Sequence, residues 1–279
     1  MRRPWRNRDR RQPEPVPSTS PPQETPQETL QEAPEVGADR GEHYRAYVAR
    51  HLESDDAERG IREAIGGNFD TMGLIQRDLL VAHGLETDGT VVDVGCGSGR
   101  LAAPLAEHLG PDARYLGTDV VPALVDYARD LVGRPEWRFE VVDDLVIPVG
   151  DDHADIVCFF SVMTHLRHEH SYLYLREAKR VVKPTGRIIV SFLEFATYAH
   201  WAVFEHNVQD PWSDRPLDQF LSRDALEAFA HHLDLEIVAL HGGDELAIPL
   251  RQEVRMDHGA VYTDVGTLGQ SFVVFARRS

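Results

Sequence analysis

A glycine triplet and four aspartates stand at spacings that can do chemistry. Val91-Val92-Asp93-Val94-Gly95-Cys96-Gly97-Ser98-Gly99-Arg100 is an apolar run that passes straight into a glycine-rich turn. Gly95, Gly97 and Gly99 allow positive φ and let a ligand approach the main chain closely. Asp93 lies two positions before the first glycine, where its carboxylate can pair with a ligand ammonium group. A second apolar run ends in Gly117-Thr118-Asp119, twenty residues after Gly99. A carboxylate there can accept hydrogen bonds from both hydroxyls of a ribose. A third run leads to Val142-Asp143-Asp144-Leu145, where a carboxylate can accept from an adenine amino group and Leu145 can pack on the ring. Amine, ribose and adenine are thus matched in order.

The same residues weigh against a dinucleotide. That ligand asks for a small third residue in Gly-x-Gly-x-x-Gly, so that helix and sheet pack closely. Arg100 stands at that position and is too large. Asp93 would also repel a pyrophosphate. A zwitterionic ligand of amino-acid type fits better.

Holding three strand ends side by side requires a parallel sheet. Strands are expected at Thr90–Val94, Tyr115–Thr118, Arg138–Val142, Asp155–Phe160 and Arg187–Leu193, short continuous apolar runs of the kind covered on both faces. Helices are expected between them at Arg100–Leu109, Pro122–Val132 and roughly His170–Val181, with a further helix after Ser222. Strands at Leu235–Leu240 and Ser271–Ala276 close the set. Such alternation implies right-handed crossovers. Three helices precede the first strand. They carry Tyr44, Tyr47, Val48 and Leu52, then Ile61 and Ile65, then Met72, Ile75 and Leu79 at helical spacing. Ser54 or Asp55 is the expected cap of the second. Pro104, inside the fourth helix, is expected to cost a backbone hydrogen bond.

These motifs resemble those of the class I S-adenosylmethionine-dependent methyltransferases, over about residues 66–193. Further matches are Ala154-Asp155-Ile156-Val157 and the run from Glu177 to Val190, in which Pro184-Thr185-Gly186 replaces the usual Pro-Gly-Gly turn. The resemblance implies a Rossmann-like α/β fold: a doubly wound, mostly parallel seven-stranded sheet with helices on both faces, and here an N-terminal helical cap. It implies S-adenosyl-L-methionine as cofactor. Asp93, Gly95, Cys96, Gly97 and Gly99 would hold the methionine moiety, Asp119 and Val120 the ribose, and Asp143, Asp144 and Leu145 the adenine. The backbone around Ser161 would also face the cofactor. Asp155 begins a strand and is expected to be structural, and Cys96 to fill the turn.

Methyl transfer from a sulfonium is an in-line displacement in which the cofactor carries the hard chemistry. The protein aligns the reactants, and a general base helps where the acceptor is a hydroxyl or an ammonium group. His165, in Ser161-Val162-Met163-Thr164-His165, is the expected base. His165, His168 and His170 do not share one helical face and no carboxylate cluster joins them, so no metal is expected. The acceptor should be held outside the core. One candidate element is the cap. The other is the insertion at 194–221, which holds Phe195, Tyr198, Trp201, Phe204, Trp212 and Phe220 together with His200 and His206. Aromatic walls with a few polar groups describe a small-molecule pocket. The long segment from His241 to Gln270 is a candidate lid.

The chain has 279 residues and a formal charge of −17, all of it beyond residue 40. An acidic body disfavours nucleic acid and anionic membranes as partners, and a small-molecule acceptor is expected instead. Residues 1–40 hold eight of the 17 prolines and read as a disordered tail, with one catalytic domain over 41–279 (cap 41–84, cofactor core 88–193, C-terminal part 222–279). Two cysteines, no apolar run of membrane-spanning length and no h-region after Arg2 and Arg3 suggest a cytoplasmic protein. The competing readings are a noncatalytic module that keeps the cofactor fold and, on weaker grounds, an NAD-dependent oxidoreductase.

Overall fold

A computed structural model of the chain describes residues 42–53, 56–210 and 216–278. The expected tail at 1–40, the caps Ser54 and Asp55, and Trp212 lie outside the described residues.

Seven strands form one sheet: β1 Thr90–Val94, β2 Arg114–Asp119, β3 Arg138–Val141, β4 Ala154–Phe159, β5 Val182–Phe192, β6 Leu235–His241 and β7 Ser271–Arg277. Their spatial order is β3-β2-β1-β4-β5-β7-β6. Pairs among β1 to β5 are parallel, and β7 runs antiparallel to both β5 and β6. Strand order reverses between β1 and β4, and in open α/β sheets the crevice for ligands lies at that point, beyond the carboxyl ends. Because β7 is antiparallel, its first residues reach the same edge: Ser271 pairs with Phe192.

The helices are α1 Glu42–Leu52, α2 Ala57–Glu63, α3 Phe69–Ala82, α4 Ala102–His108, α5 Pro122–Val132, α6 His168–Val181, α7 Tyr198–Gln209 and α8 Arg223–His232. Alternate strand residues feed two cores. On one face Val91, Tyr115, Ile156 and Cys158 meet Ile75 and Leu79 of α3, Leu105 of α4 and Ala128 of α5. On the other, Val92, Val94, Val157 and Val190 meet Leu175 and Ala178 of α6 and Leu226 of α8. The caps α1 and α2 form a third cluster, with Val48, Ile61 and Ala64 packed on Val121 and Leu124 at the start of α5.

Four expectations change in detail. Asp56 caps α2, its side chain accepting from the Arg59 amide at 3.0 Å. Pro104 falls in the first turn of α4 rather than its interior, and the bond it lacks lies between those that the Ala103 and Leu105 amides donate to the Gly99 and Leu101 carbonyls. Pro184-Thr185-Gly186 is not a turn before β5 but an irregularity within it. Ala154 pairs with Val182 while Ile156 pairs with Arg187. The segment expected as a lid is fastened to α3. It forms two short antiparallel ladders, Ile248–Pro249 with Val265–Gly266 and Val254–Arg255 with Val261–Tyr262. Asp78 accepts from the Arg251 amide at 2.9 Å, and Thr71 donates to the Arg255 carbonyl at 2.8 Å.

Candidate functional site

The glycine loop folds back over the end of β2. The amides of Gly95 and Cys96 both donate to the Thr118 carbonyl, at 2.7 and 2.9 Å, and the Gly99 amide donates to the Cys96 carbonyl at 3.1 Å. Gly95, Gly97 and Gly99 have φ of 75°, 54° and 87°. A Cβ on Gly95 would lie 2.3 Å from Val162 Cγ2, and one on Gly97 would lie 2.8 Å from Ile65 Cγ2. The cradle is therefore open only to glycine.

Asp119 closes this loop. Its Oδ2 accepts from the Gly97 amide and its Oδ1 from the Val121 amide, each at 3.0 Å. The carboxylate is buried and faces no cation at ion-pair distance among the described residues. Burial pushes its pKa up to about 6, against the pull of the backbone amides. Each oxygen takes one of these amide bonds and retains acceptor capacity, as a ribose diol requires. Asp93 is turned into the sheet. Its Oδ2 accepts from the Tyr115 hydroxyl at 2.7 Å and its Oδ1 from the Cys158 thiol at 3.6 Å. Burial raises it to about 6 as well. The structure thus places Asp93 beneath the loop, with its carboxylate committed to Tyr115. Cys96 packs in the core beside Gly117, its thiol pKa raised by burial. Asp155 takes the Thr90 amide and Lys183 Nζ, both at 2.8 Å, a structural role.

Beyond β3, Asp143 and Asp144 are exposed at the rim and Leu145 is half-buried. Arg45 of α1 links this rim to β2: its Nη1 donates to the Val120 carbonyl at 3.2 Å and lies 4.0 Å from Asp143 Oδ2. One residue earlier, Tyr44 stacks on His165 with ring centroids 5.5 Å apart. Burial and the Asp119 carboxylate both raise the Tyr44 pKa. Helix α1 therefore bridges the crevice from the β2–β3 side to the β4 side. Helical spacing put Tyr44 on an apolar stripe, but nothing in the spacing named its partner.

On the β4 side, Ser161 takes φ of 60°, a sparsely populated conformation for a residue with a side chain. Its amide donates to Ser191 Oγ at 2.7 Å, and Ser191 Oγ donates to Gln270 Oε1 at 2.7 Å. Gln270 carries no sequence signal; only the antiparallel β7 brings it here. His165 ends the short 3-10 turn Met163–His165. Its Nδ1 lies 2.7 Å from the Leu217 carbonyl, an acceptor, so Nδ1 carries the proton and Nε2 is left as a base. Nε2 has no hydrogen-bond partner among the described residues. Burial lowers the pKa of the ring, so it is neutral at neutral pH.

The returning end of the insertion supplies that carbonyl. The Gln219 amide donates to the Thr164 carbonyl at 2.6 Å, and Phe220 forms a bridge with Leu193. Phe195 stacks on Phe220 at 4.5 Å, and Phe204 meets both edge-on. Phe195, Tyr198 and Trp201 are exposed. His200 does not line a pocket. It is buried, with Nδ1 on the Glu194 amide and Nε2 on the Gly269 carbonyl, both at 3.0 Å. His206 is exposed. Glu194 is buried and binds Arg223 through two hydrogen bonds, at 2.9 and 3.0 Å, and Ser271 at 2.6 Å. His168 bonds the Phe220 carbonyl, and no group of metal-binding side chains occurs among the described residues.

Residues 91–186 match the model of a methyltransferase domain family. Over 227 residues the chain is 24% identical to the ubiquinone/menaquinone biosynthesis C-methyltransferase UbiE of Cupriavidus necator, covering 77% of this chain and 90% of that protein. A chain from the complex between the Haloferax volcanii Trm112 methyltransferase activator and a methyltransferase shares the fold, with TM-score 0.59 and 20% identity over 86% of this chain and 98% of that one. So does magnesium protoporphyrin IX methyltransferase of Synechocystis PCC 6803, solved with bound S-adenosylhomocysteine (TM-score 0.55, 17% identity, 84% and 94% covered).

Proposed function

The chain belongs to the class I S-adenosylmethionine-dependent methyltransferases, and we propose that it methylates a small, largely apolar acceptor bearing an ionisable hydroxyl or amine. When bound, S-adenosylmethionine supplies an activated methyl group. In this reading the Asp119 carboxylate holds the ribose, Val120 flanks it, and Asp143, Asp144 and Leu145 hold the adenine at the rim. The glycine loop and Asp93 shape the methionine end, and the Ser161 backbone faces the reaction centre. The Phe195–Phe204–Phe220 cluster offers the acceptor an apolar wall, and Tyr44 covers it from α1. The exclusion of water by these groups favours alignment of the reactants.

The observation that carries the reading is the Nδ1–H bond from His165 to the Leu217 carbonyl. It orients the imidazole with Nε2 free to take the proton of the acceptor. A depressed pKa keeps that base unprotonated through neutral pH. The name of the Cupriavidus relative favours a second acceptor atom: in a hydroxyaromatic acceptor, the same deprotonation activates a ring carbon beside the oxygen. Among the described residues no helix is long and apolar enough to cross a membrane, and both cysteines are free and buried. The free thiols fit a reducing cytoplasm.

The test is a panel of hydroxyaromatic and amine acceptors scored by S-adenosylhomocysteine release, followed by His165→Gln. Loss of the base should lower kcat by about 10²–10⁴ with cofactor affinity unchanged. A His165→Gln enzyme that keeps its kcat would remove the base assignment.

A further inference from the structure

Arg100 leaves the glycine loop half-buried, with its guanidinium only partly used. Nη2 donates to the carbonyls of Ile65 and Gly66, the second at 2.5 Å. Nε is buried without a hydrogen-bond partner among the described residues. No carboxylate of the described residues forms an ion pair with it. Burial lowers its pKa to about 10, so it is still a cation at neutral pH. Partial burial of a cation without a counter-ion carries a desolvation cost, and two backbone carbonyls offset it in part.

Four of the five amides of the loop beside it are closed to an anion. Those of Gly95, Cys96, Gly97 and Gly99 are all spent within the protein, on Thr118, Asp119 and Cys96. In the cofactor reading of the crevice, the amino-acid end brings a carboxylate to this loop. The strand-end carboxylates Asp93 and Asp119 carry the wrong sign to receive it.

We propose that Arg100 is the binding group for the cofactor's carboxylate, so that this crevice selects ligands with an intact α-amino-acid end. The inference rests on the cofactor reading of the crevice. It also gives the residue at the position of the third dinucleotide glycine a function rather than a mere exclusion. Through Ile65 and Gly66 the same guanidinium holds the end of the helical cap, so cofactor and cap meet at one side chain.

Calorimetry with two probes tests it. S-adenosylhomocysteine carries the carboxylate; 5′-methylthioadenosine has adenine and ribose but no amino acid. Arg100→Gln should weaken S-adenosylhomocysteine about ten- to hundredfold and leave methylthioadenosine within about threefold, as for one lost charge-assisted hydrogen bond. Arg100→Lys should recover part of the loss. Equal losses on both probes would mean that Arg100 only latches the cap, and an unchanged S-adenosylhomocysteine affinity would also overturn the proposal. Should the variants not fold, wild-type protein is titrated with the carboxamide of S-adenosylhomocysteine. Binding about tenfold weaker or more than for the acid supports the assignment, and equal binding sinks it. A wild-type protein silent to both adenosine probes would instead remove the cofactor reading itself.

Discussion

Asp119→Asn separates the binding role of this carboxylate from what it costs the fold. In the folded protein burial raises the group from 3.8 to about 6. A carboxyl raised on folding contributes stability below its unfolded pKa and loses it as pH rises through its folded pKa. The full shift corresponds to about 3 kcal/mol at neutral pH. Between pH 5 and pH 8 the linkage relation leaves about 1.4 kcal/mol of it to be read. The amide cannot titrate. It also places one NH2 against the Gly97 or Val121 amide, but that penalty is the same at every pH. The stability difference between variant and wild type should therefore move in favour of the variant by about 1.4 kcal/mol from pH 5 to pH 8. Asp93 adds to the same sign, since the Asp119 charge helps to raise its pKa. Urea unfolding of both proteins at the two pH values measures this, and calorimetry with S-adenosylhomocysteine measures the ribose contact. A pH-independent stability difference would refute the buried, unpaired carboxylate. Unchanged affinity would refute the ribose assignment.

Gly97→Ala forces a Cβ toward Ile65 at a positive φ, which costs about 1–2 kcal/mol before any repacking. Cofactor affinity and the unfolding midpoint should both fall, and calorimetry with thermal unfolding would show whether they do. Glu194→Gln breaks the paired bonds to Arg223 and should destabilise by about 2 kcal/mol. The Arg223 guanidinium holds Glu194 below its ordinary pKa, so wild type loses this advantage as pH falls through the carboxylate range. Urea unfolding at pH 7 and pH 4 should show the gap closing; a constant gap would argue against the ion pair. For wild-type turnover, the depressed His165 pKa predicts a rate that holds down to pH 6.5 and falls below it. A rate that rises steadily above pH 6.5 would point to another base.

Much of the cofactor side was legible because it is written in contiguous residues. The run from Val91 to Arg100 is strand, loop and helix start in order, and the bounds of α5 follow from Pro122 at its first turn and Gly133 in the left-handed conformation after it. Strand β5 was harder. It begins at Val182, directly after α6, because a bulge absorbs Pro184 and its missing donor. The 241–270 segment was misjudged for a related reason. Its strands are two residues long and are held by Asn68, Thr71 and Asp78, more than 170 positions away in sequence.

The amino-acid sequence alone determined the family, the parallel core and the three carboxylate positions, since glycine freedom, apolar runs and strand ends are local properties. Tertiary structure decided which groups are free to act. Asp93 proved committed to Tyr115, His165 was given its tautomer by a carbonyl 52 residues away, and Arg100 was left with a buried nitrogen that has no partner among the described residues. Those outcomes depend on long-range packing and on the desolvation it imposes, and neither is a property of any single segment.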